Sequence, residues 1–97
     1  MALVVVIEFP DATIDQYEKV FEAAGESLSK QPKRLHHVCY PHGDKGFTVV
    51  NVWEDEAAFT AFGGIIGPAM AQVGIQPAPG NPQVYPLHEY IGADGKR

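Results

Sequence analysis

Two histidines, a tyrosine, an asparagine and a tryptophan near the middle of the chain are the residues best suited to chemistry. They lie in the segment LHHVCYPHGDKGFTVVNVWE, which predicts two strands, Leu35–His42 and Phe47–Glu54, joined by a turn at 43–46. If both turn glycines flank the bend, His42 lies opposite Phe47 and alternate side chains share a face. That face would carry His36, Val38, Tyr40, His42, Phe47, Val49, Asn51 and Trp53. Such an aromatic surface with polar groups favours a lined pocket over a dry core.

The opposite face of this hairpin is small and apolar, as expected for a surface that packs on helices. It would carry Leu35, His37, Cys39, Pro41, Thr48, Val50, Val52 and Glu54. His36 and His37 therefore point in opposite directions. His36 and His42 share a face but lie roughly 20 Å apart at strand rise. Neither pair can chelate one metal ion, and no metal site is expected.

The remaining elements that would position the hairpin follow from the hydrophobic pattern. Ala2–Phe9 predicts a buried strand that Pro10 ends. Apolar residues at helical spacing predict a helix from Ile14 to about residue 29, with Asp11 or Thr13 as its cap. A second helix follows the acidic residues 54–56 and extends to about Val73, with a kink or a break expected at Gly63-Gly64 and Gly67-Pro68. After a loop at 76–82, residues 84–91 predict the last strand.

This order of elements predicts one α+β domain over residues 1–97 with a ferredoxin-like βαββαβ fold. Two helices would cover one face of a four-stranded antiparallel sheet, in which the strands lie in the order fourth, first, third, second. The other face would expose Val4, Val6, Phe47, Val49 and Trp53. Stacking two such sheets face to face covers these residues. The sequence therefore predicts a homodimer that encloses a space between its sheets.

Two residues are candidates for proton transfer in that space. His36 would lie opposite Trp53, and a neutral imidazole with an ordinary pKa near 6.5 can act as a general base. Glu8 would lie at the end of the first strand, towards Phe47 and His42, where a carboxylate and a histidine can form an acid–base pair. The alternatives are a structural histidine on a half-buried strand and a solvated glutamate at an exposed strand end.

Composition narrows the classes of partner. The net charge of −5 argues against nucleic acid, because no basic stripe is present to neutralise phosphates. The lone cysteine, Cys39, excludes an internal disulfide and a multi-cysteine zinc site. The apolar run Leu3–Ile7 is too short to cross a bilayer and has no basic leader. These features predict a soluble, cytoplasmic protein with no membrane partner.

One motif carries a family resemblance. The run from Phe47 to Phe59, FTVVNVWEDEAAF, followed by Phe62, resembles the third-strand-to-second-helix region of the dimeric α/β-barrel proteins, including the antibiotic biosynthesis monooxygenase-like group. The resemblance implies a homodimer without a cofactor. It also implies that Trp53 lines the pocket and that His88, on the last strand, approaches it from the other subunit. Haem-degrading members carry a histidine on the second helix, and no histidine occurs here between Glu54 and Tyr85.

Two functions are compatible with these residues. The first is a cofactor-independent monooxygenase or isomerase that acts on a small aromatic or carbonyl compound. In it His36 or Glu8 takes a proton, Tyr40 and Asn51 position an oxygen atom, and Trp53 stacks on the ring. Phe47, Phe62 and His88 complete the binding surface. The second is a non-catalytic ligand-binding or stress-response dimer that uses the same pocket without turnover.

Overall fold

Four strands and three helices make up the chain, and the computed structural model describes residues 1–97. The elements, in chain order, are β1 (Leu3–Phe9), α1 (Ile14–Ala24), α2 (Glu26–Ser29), β2 (Arg34–Pro41), β3 (Phe47–Trp53), α3 (Glu56–Val73) and β4 (Gln83–Pro86). The four strands form one antiparallel sheet in the order β2-β3-β1-β4. The predicted α+β fold and strand order are confirmed. None of the helices is long and apolar enough to span a bilayer.

Side-chain caps begin both main helices. Thr13, rather than Asp11, caps α1 through a capping box, in which the Gln16 N–H donates to the Thr13 hydroxyl and the Thr13 N–H donates to the Gln16 side chain. Asp55 caps α3 by accepting a hydrogen bond of 2.8 Å from the Ala58 N–H. The backbone hydrogen bond and the Lys33 ammonium lower the pKa of the Asp55 carboxyl. These caps fix where each helix leaves the sheet.

The helices depart from the predicted pattern at their glycines. The predicted first helix is divided into α1 and α2 at Gly25, which has a φ of +66° and ends α1. The predicted second helix does not divide: α3 continues through Gly63-Gly64, with Pro68 inside it. A proline ring normally clashes with the carbonyl four residues earlier, and here that residue is Gly64. Glycine gives the backbone more conformational freedom than other residues do, and α3 continues through this turn as one helix.

The hairpin between β2 and β3 has a different register from the predicted one. Pro41, and not His42, lies opposite Phe47, and the His42 N–H donates to the Gly46 carbonyl. The connecting loop is therefore three residues, 43–45, rather than four. Gly46 instead approaches the end of β1, where its N–H donates to the Ala12 carbonyl at 2.7 Å. A shift of one residue reverses the face of every side chain on one strand relative to its partner.

This register overturns the predicted common face. Phe47, Val49, Asn51 and Trp53 face the helices, together with His37 and Cys39 of β2. The predicted partners of β3 on β2 lie on the opposite side of the sheet, which we call the outer face. The outer face carries Val4, Val6, Glu8, His36, Val38, Tyr40, Thr48, Val50 and Val52. The predicted pocket residues are thus divided between the two sides of one sheet.

A β-bulge at the start of β2 changes where Arg34 points. The register shifts between Arg34 and His36, so that Leu35 is the extra residue and Arg34 lies opposite Trp53. Without a bulge, Arg34 and His37 would lie on opposite faces. With it, both lie on the side of the sheet that the helices cover.

The buried core has two parts under the helices. One contains Trp53, Leu3, Val5, Val20, Leu28, Phe62 and Ala69. The other contains Phe9, Ala12, Phe47 and Val49, with the Phe9 and Phe47 rings stacked at 4.8 Å. Ile7 and Met70 pack against both parts. Between them the layer of side chains is incomplete, and a cavity remains.

Candidate functional site

The cavity lies between the sheet and the helices, within a single chain. Its volume is about 250 Å³, and most of its wall is apolar. The sheet contributes Phe47 and Val49, α1 contributes Val20 and Phe21, and α3 contributes Phe59, Phe62, Ile66 and Met70. Ile75, Pro77 and Pro82, from the connection after α3, border the cavity as well. The Ala78 N–H donates to the Glu8 carbonyl, and the Glu8 N–H donates to the Asn81 side chain, which ties that connection to β1.

Three polar side chains in the wall form one hydrogen-bonded chain. The His37 Nδ1–H donates to the Asn51 side-chain oxygen at 2.5 Å, and the Tyr17 hydroxyl donates to His37 Nε2 at 2.8 Å. The amide oxygen of Asn51 can only accept, which places the proton of neutral His37 on Nδ1 and leaves Nε2 as an acceptor. Asn51 is only 2% exposed, so its partner is a structural requirement as well.

Burial shifts the proton affinities of this chain. It lowers the pKa of His37, and the nearby Arg34 and His36 act in the same direction, although the hydrogen bond to Asn51 opposes them. It raises the pKa of Tyr17 to about 12, with smaller contributions from Cys39 and Glu18 that outweigh the opposing effect of Arg34. Both groups are therefore neutral near pH 7. The hydrogen-bonded series Tyr17–His37–Asn51 can therefore accept one proton at His37 without first losing one.

Arg34 is the one formally charged residue that borders the cavity. Its Nη2 donates to the Ser29 carbonyl at 3.2 Å, and its guanidinium carbon lies 5.7 Å from the centre of the Phe62 ring. Cation–π contact of this kind holds the guanidinium against the aromatic wall. Burial lowers the pKa of Arg34 from its ordinary value, and Tyr17 opposes this shift. A guanidinium stays protonated at neutral pH regardless.

A second polar chain lies on the outer face. The Thr48 hydroxyl donates to Glu8 Oε1 at 2.8 Å, and His42 Nε2–H donates to the Thr48 oxygen at 2.5 Å. Glu8 therefore does approach His42, as its position at the end of β1 predicts, but through Thr48 and away from Phe47. Tyr40 stacks on His42 at 5.4 Å. These four residues do not border the cavity.

The residues predicted from the sequence occupy four different places. Phe47, Asn51 and Phe62 border the cavity. His36, Tyr40 and Glu8 are on the outer face, where His36 Nδ1 lies 3.2 Å from the Tyr90 hydroxyl. His88 follows the end of β4, which stops at Pro86 and not near residue 91, and its side chain is exposed.

Trp53 is in the fourth place, the core itself. It is completely buried against the α3 rings of Phe59 and Phe62, with ring centres at 6.2 Å and 4.9 Å, and it does not border the cavity. Its indole N–H has no hydrogen-bond partner. Trp53 therefore does not form part of the wall of this cavity. Its side chain instead supports Phe62, which does line it.

Sequence reasoning missed three polar residues of the site, namely Tyr17, Arg34 and His37. Tyr17 belongs to the apolar stripe of α1 and so reads as a core residue. The alternation of the strand places His37 on the helix-packed face, where it does lie, but predicts a mostly small, apolar surface there. Arg34 depends on the bulge, which no pattern in the sequence predicts. No group of three or more His, Cys, Asp or Glu side chains is placed to hold a metal ion.

Comparison of the whole fold with solved structures finds several of similar shape. SnoaB, a cofactor-independent oxygenase from Streptomyces nogalater crystallised as a variant with one asparagine replaced by alanine, matches with a TM-score of 0.68 and 15% identity over 93% of this chain and 96% of that one. The ActVA-Orf6 monooxygenase of Streptomyces coelicolor, in complex with nanaomycin D, matches with a TM-score of 0.55 and 23% identity over 95% of this chain and 93% of that one.

A third structure is a putative antibiotic biosynthesis monooxygenase from Deinococcus radiodurans, with a TM-score of 0.61 and 11% identity over 95% of this chain and 97% of that one. The fold is that of the antibiotic biosynthesis monooxygenase-like dimeric α/β-barrel group. The resemblance seen in the sequence motif is thus confirmed at the level of fold. No sequence model of a protein family matches the chain, and neither does the sequence of any curated protein. Similar folds carry different activities, so the function has to be argued from the site.

Proposed function

We propose that the protein is a cofactor-independent oxygenase that converts a small phenolic aromatic compound to a quinone with molecular oxygen. The observation that supports it best is the hydrogen-bonded chain Tyr17–His37–Asn51 in the wall of an otherwise apolar cavity. The fold that this chain shares with the oxygenase SnoaB and the monooxygenase ActVA-Orf6 also supports this chemistry. The base in this proposal is His37, not His36 or Glu8, because only His37 borders the cavity.

The first step is removal of the phenolic proton. The Tyr17 oxygen takes the proton from the substrate as its own proton passes to His37 Nε2. The products are a phenolate and an imidazolium, whose Nδ1–H donates to Asn51. That hydrogen bond favours the charged ring, as its upward effect on the pKa of His37 indicates. Arg34 contributes a positive charge near the new anion.

The second step uses the phenolate as the reductant. It transfers one electron to O₂, and the two radicals combine at the para carbon to form a peroxide. The peroxide takes a proton back from His37 through Tyr17. The para carbon then loses its hydrogen as the O–O bond breaks. This step releases water and leaves a second carbonyl. For 1-naphthol the balance is C₁₀H₈O plus O₂ to C₁₀H₆O₂ plus H₂O. The apolar wall keeps other water away from the radical pair.

The test is turnover of a panel of naphthols and hydroquinones in oxygenated buffer, followed by mass spectrometry with ¹⁸O₂. We expect one labelled oxygen in each quinone formed from a naphthol whose para carbon carries a hydrogen. His37→Gln should lower kcat by roughly 10²- to 10⁴-fold, which is the usual contribution of a positioned base. The matched control is His36→Gln, which alters the neighbouring histidine on the outer face and should leave kcat unchanged. Turnover by the wild type at the level of buffer alone would rule the proposal out.

A non-catalytic binding protein is the second candidate, and one observation favours it. Both nitrogen atoms of His37 are already occupied by hydrogen bonds to Tyr17 and Asn51, so no basic lone pair faces the cavity directly. In that case an aromatic compound that fits the cavity raises the Tm of the protein without being consumed. The panel above separates the two functions, because thermal shifts and product formation are measured on the same compounds.

We also propose that two chains pair through their outer faces. Val38, Tyr40 and Tyr85 are 39%, 48% and 48% exposed, and Val4, Val6 and Val50 between them are only half-buried. A contiguous apolar surface of this kind on a sheet favours association. Pairing would cover the outer-face chain of Glu8, Thr48 and His42 and would leave the cavity, on the other side of the sheet, within each subunit.

A further inference from the structure

The charge inside the cavity wall is unbalanced. Arg34 forms no ion pair: the three salt bridges of the molecule join Lys30 with Glu26, Lys33 with Asp55, and Arg97 with Glu89. No aspartate or glutamate borders the cavity. A partly buried charge without a counter-charge costs free energy, because burial removes part of its hydration. The cost is recovered when an anion binds beside it.

The guanidinium also has donors to spare. Of its five N–H groups, one donates to the Ser29 carbonyl, and no other acceptor in the protein receives a hydrogen bond from it. The hydrogen bond to Ser29 and the contact with the Phe62 ring hold the guanidinium in place. A guanidinium fixed in this way can present two parallel N–H groups to a carboxylate, which is a stronger and more directional contact than a single neutral hydrogen bond.

We infer that the cavity takes an aromatic carboxylate, with the ring among the apolar side chains and the carboxylate on Arg34. The inference names the substrate class of the proposed function, and it rests on that function only for the identity of the cavity. The volume of about 250 Å³ is just below the usual range for ligand pockets, roughly 300 to 1,000 Å³. It favours a body of one or two rings. The carboxylate and the hydroxyl that loses its proton are separate groups of such a ligand, held by Arg34 and Tyr17 respectively.

The test is a binding comparison with ligands that cannot be turned over. We would titrate the wild type with 2-naphthoate, with the uncharged 2-naphthamide, and with the cationic 2-naphthylmethylammonium, by isothermal calorimetry at pH 7.5 and low salt. The expected order is naphthoate at least tenfold tighter than the amide, with the cation weakest. Equal affinities for the acid and the amide would overturn the inference.

Variants locate the effect. Arg34→Gln should reduce the preference for the acid over the amide to about twofold or less, and Arg34→Lys should retain part of it. The matched control is Lys33→Gln, which removes an adjacent positive charge that is paired with Asp55 outside the cavity and should leave the preference intact. Loss of the preference in Lys33→Gln as well would mean that the net charge, and not Arg34, selects the acid, and would overturn the inference. If Arg34→Gln does not fold, Arg34→Lys and the wild-type ligand series still decide.

This result is separable from the proposed function. Naphthoate binding that depends on Arg34, with no quinone formed from hydroxynaphthoates in oxygen, would support the inference and remove the oxygenase. Turnover of 1-naphthol at the same rate as its carboxylated analogues, with no preference in binding, would support the oxygenase and remove the inference.

Discussion

His37 lies between two hydrogen bonds inside the protein, whereas in the unfolded chain its imidazole is in water. Burial lowers its pKa in the folded state, so below the ordinary value of about 6.5 the unfolded chain binds a proton that the folded chain does not. Stability is therefore complete above about pH 6.5 and decreases as the pH falls towards the lower folded pKa. At the alkaline end Tyr17, with its pKa raised to about 12, has the opposite sign, and stability decreases above about pH 10.

We predict that His37→Gln flattens the acid side of this profile. Urea unfolding of the wild type should show a lower free energy at pH 5.5 than at pH 7.5, and the difference should shrink in the variant because glutamine does not titrate. His36→Gln is the control on the same strand and should keep the wild-type difference. An unchanged pH dependence in His37→Gln would contradict this account.

Asn51 can be tested for stability separately from activity. Asn51→Leu leaves the His37 Nδ1–H without its acceptor, which should lower the free energy of unfolding by roughly 1–3 kcal/mol. Thr48→Val is the matched change on the other side of β3, where Glu8 is half-buried and His42 is exposed in the single chain, and in dilute, monomeric protein it should cost less. Equal costs in urea titrations would mean that the hydrogen bond to His37 has no special role.

At the scale of elements, the hydrophobic pattern was sufficient to predict which segments form strands and helices. The caps at Thr13 and Asp55 follow from ordinary rules, and the element order led to the correct sheet. The register of the hairpin could not be predicted in the same way. The side chains of β3 are mostly apolar and are buried on both faces of the sheet, so they do not show which face meets the helices. The number of residues in the loop therefore sets the register. Gly46 lies outside the turn and contacts the segment at the end of β1.

The two glycines of the hairpin allow a matched test of this contact. Both have positive φ, +67° at Gly43 and +95° at Gly46, so alanine is strained at either position by roughly 1–2 kcal/mol. A Cβ at Gly43 meets nothing within 4 Å, but at Gly46 it stands 3.2 Å from the Pro10 carbonyl oxygen. We therefore expect Gly46→Ala to lower the free energy of unfolding about twice as much as Gly43→Ala. Comparable losses in thermal or urea unfolding would count against a close contact there.

The candidate site was less predictable than the fold for reasons particular to each residue. Asn51, Phe47 and Phe62 were identified because polar and aromatic residues stand out on a strand and in a helix motif. Arg34 comes to the side of the sheet that carries His37 only through the bulge at Leu35. Trp53 has an aromatic side chain of the kind that often lines pockets, but it is buried against α3. A one-residue error in register was enough to place His36 and Tyr40 beside residues that they never meet.

At the scale of the whole molecule, the outer face should determine the oligomeric state. By its register Val50 lies between Val6 and Val38 at the centre of that face. We expect the wild type to sediment at about twice the 10.5 kDa mass of one chain, and Val50→Glu to sediment as a monomer, because pairing would bury the new charge. Lys19→Glu, an exposed change on α1, is the control and should leave the dimer intact. A monomeric wild type at micromolar concentration would contradict the pairing.

The side chains of β3 point alternately to the cavity side of the sheet and to the outer face. Val49 and Asn51 form part of the cavity wall, and Thr48 and Val50, the residues between them, belong to the surface proposed for pairing. A single thickness of backbone therefore separates a bound molecule from a neighbouring chain. A ligand that displaces this backbone even slightly will alter dimer affinity, and by thermodynamic reciprocity subunit concentration will alter ligand affinity to the same extent.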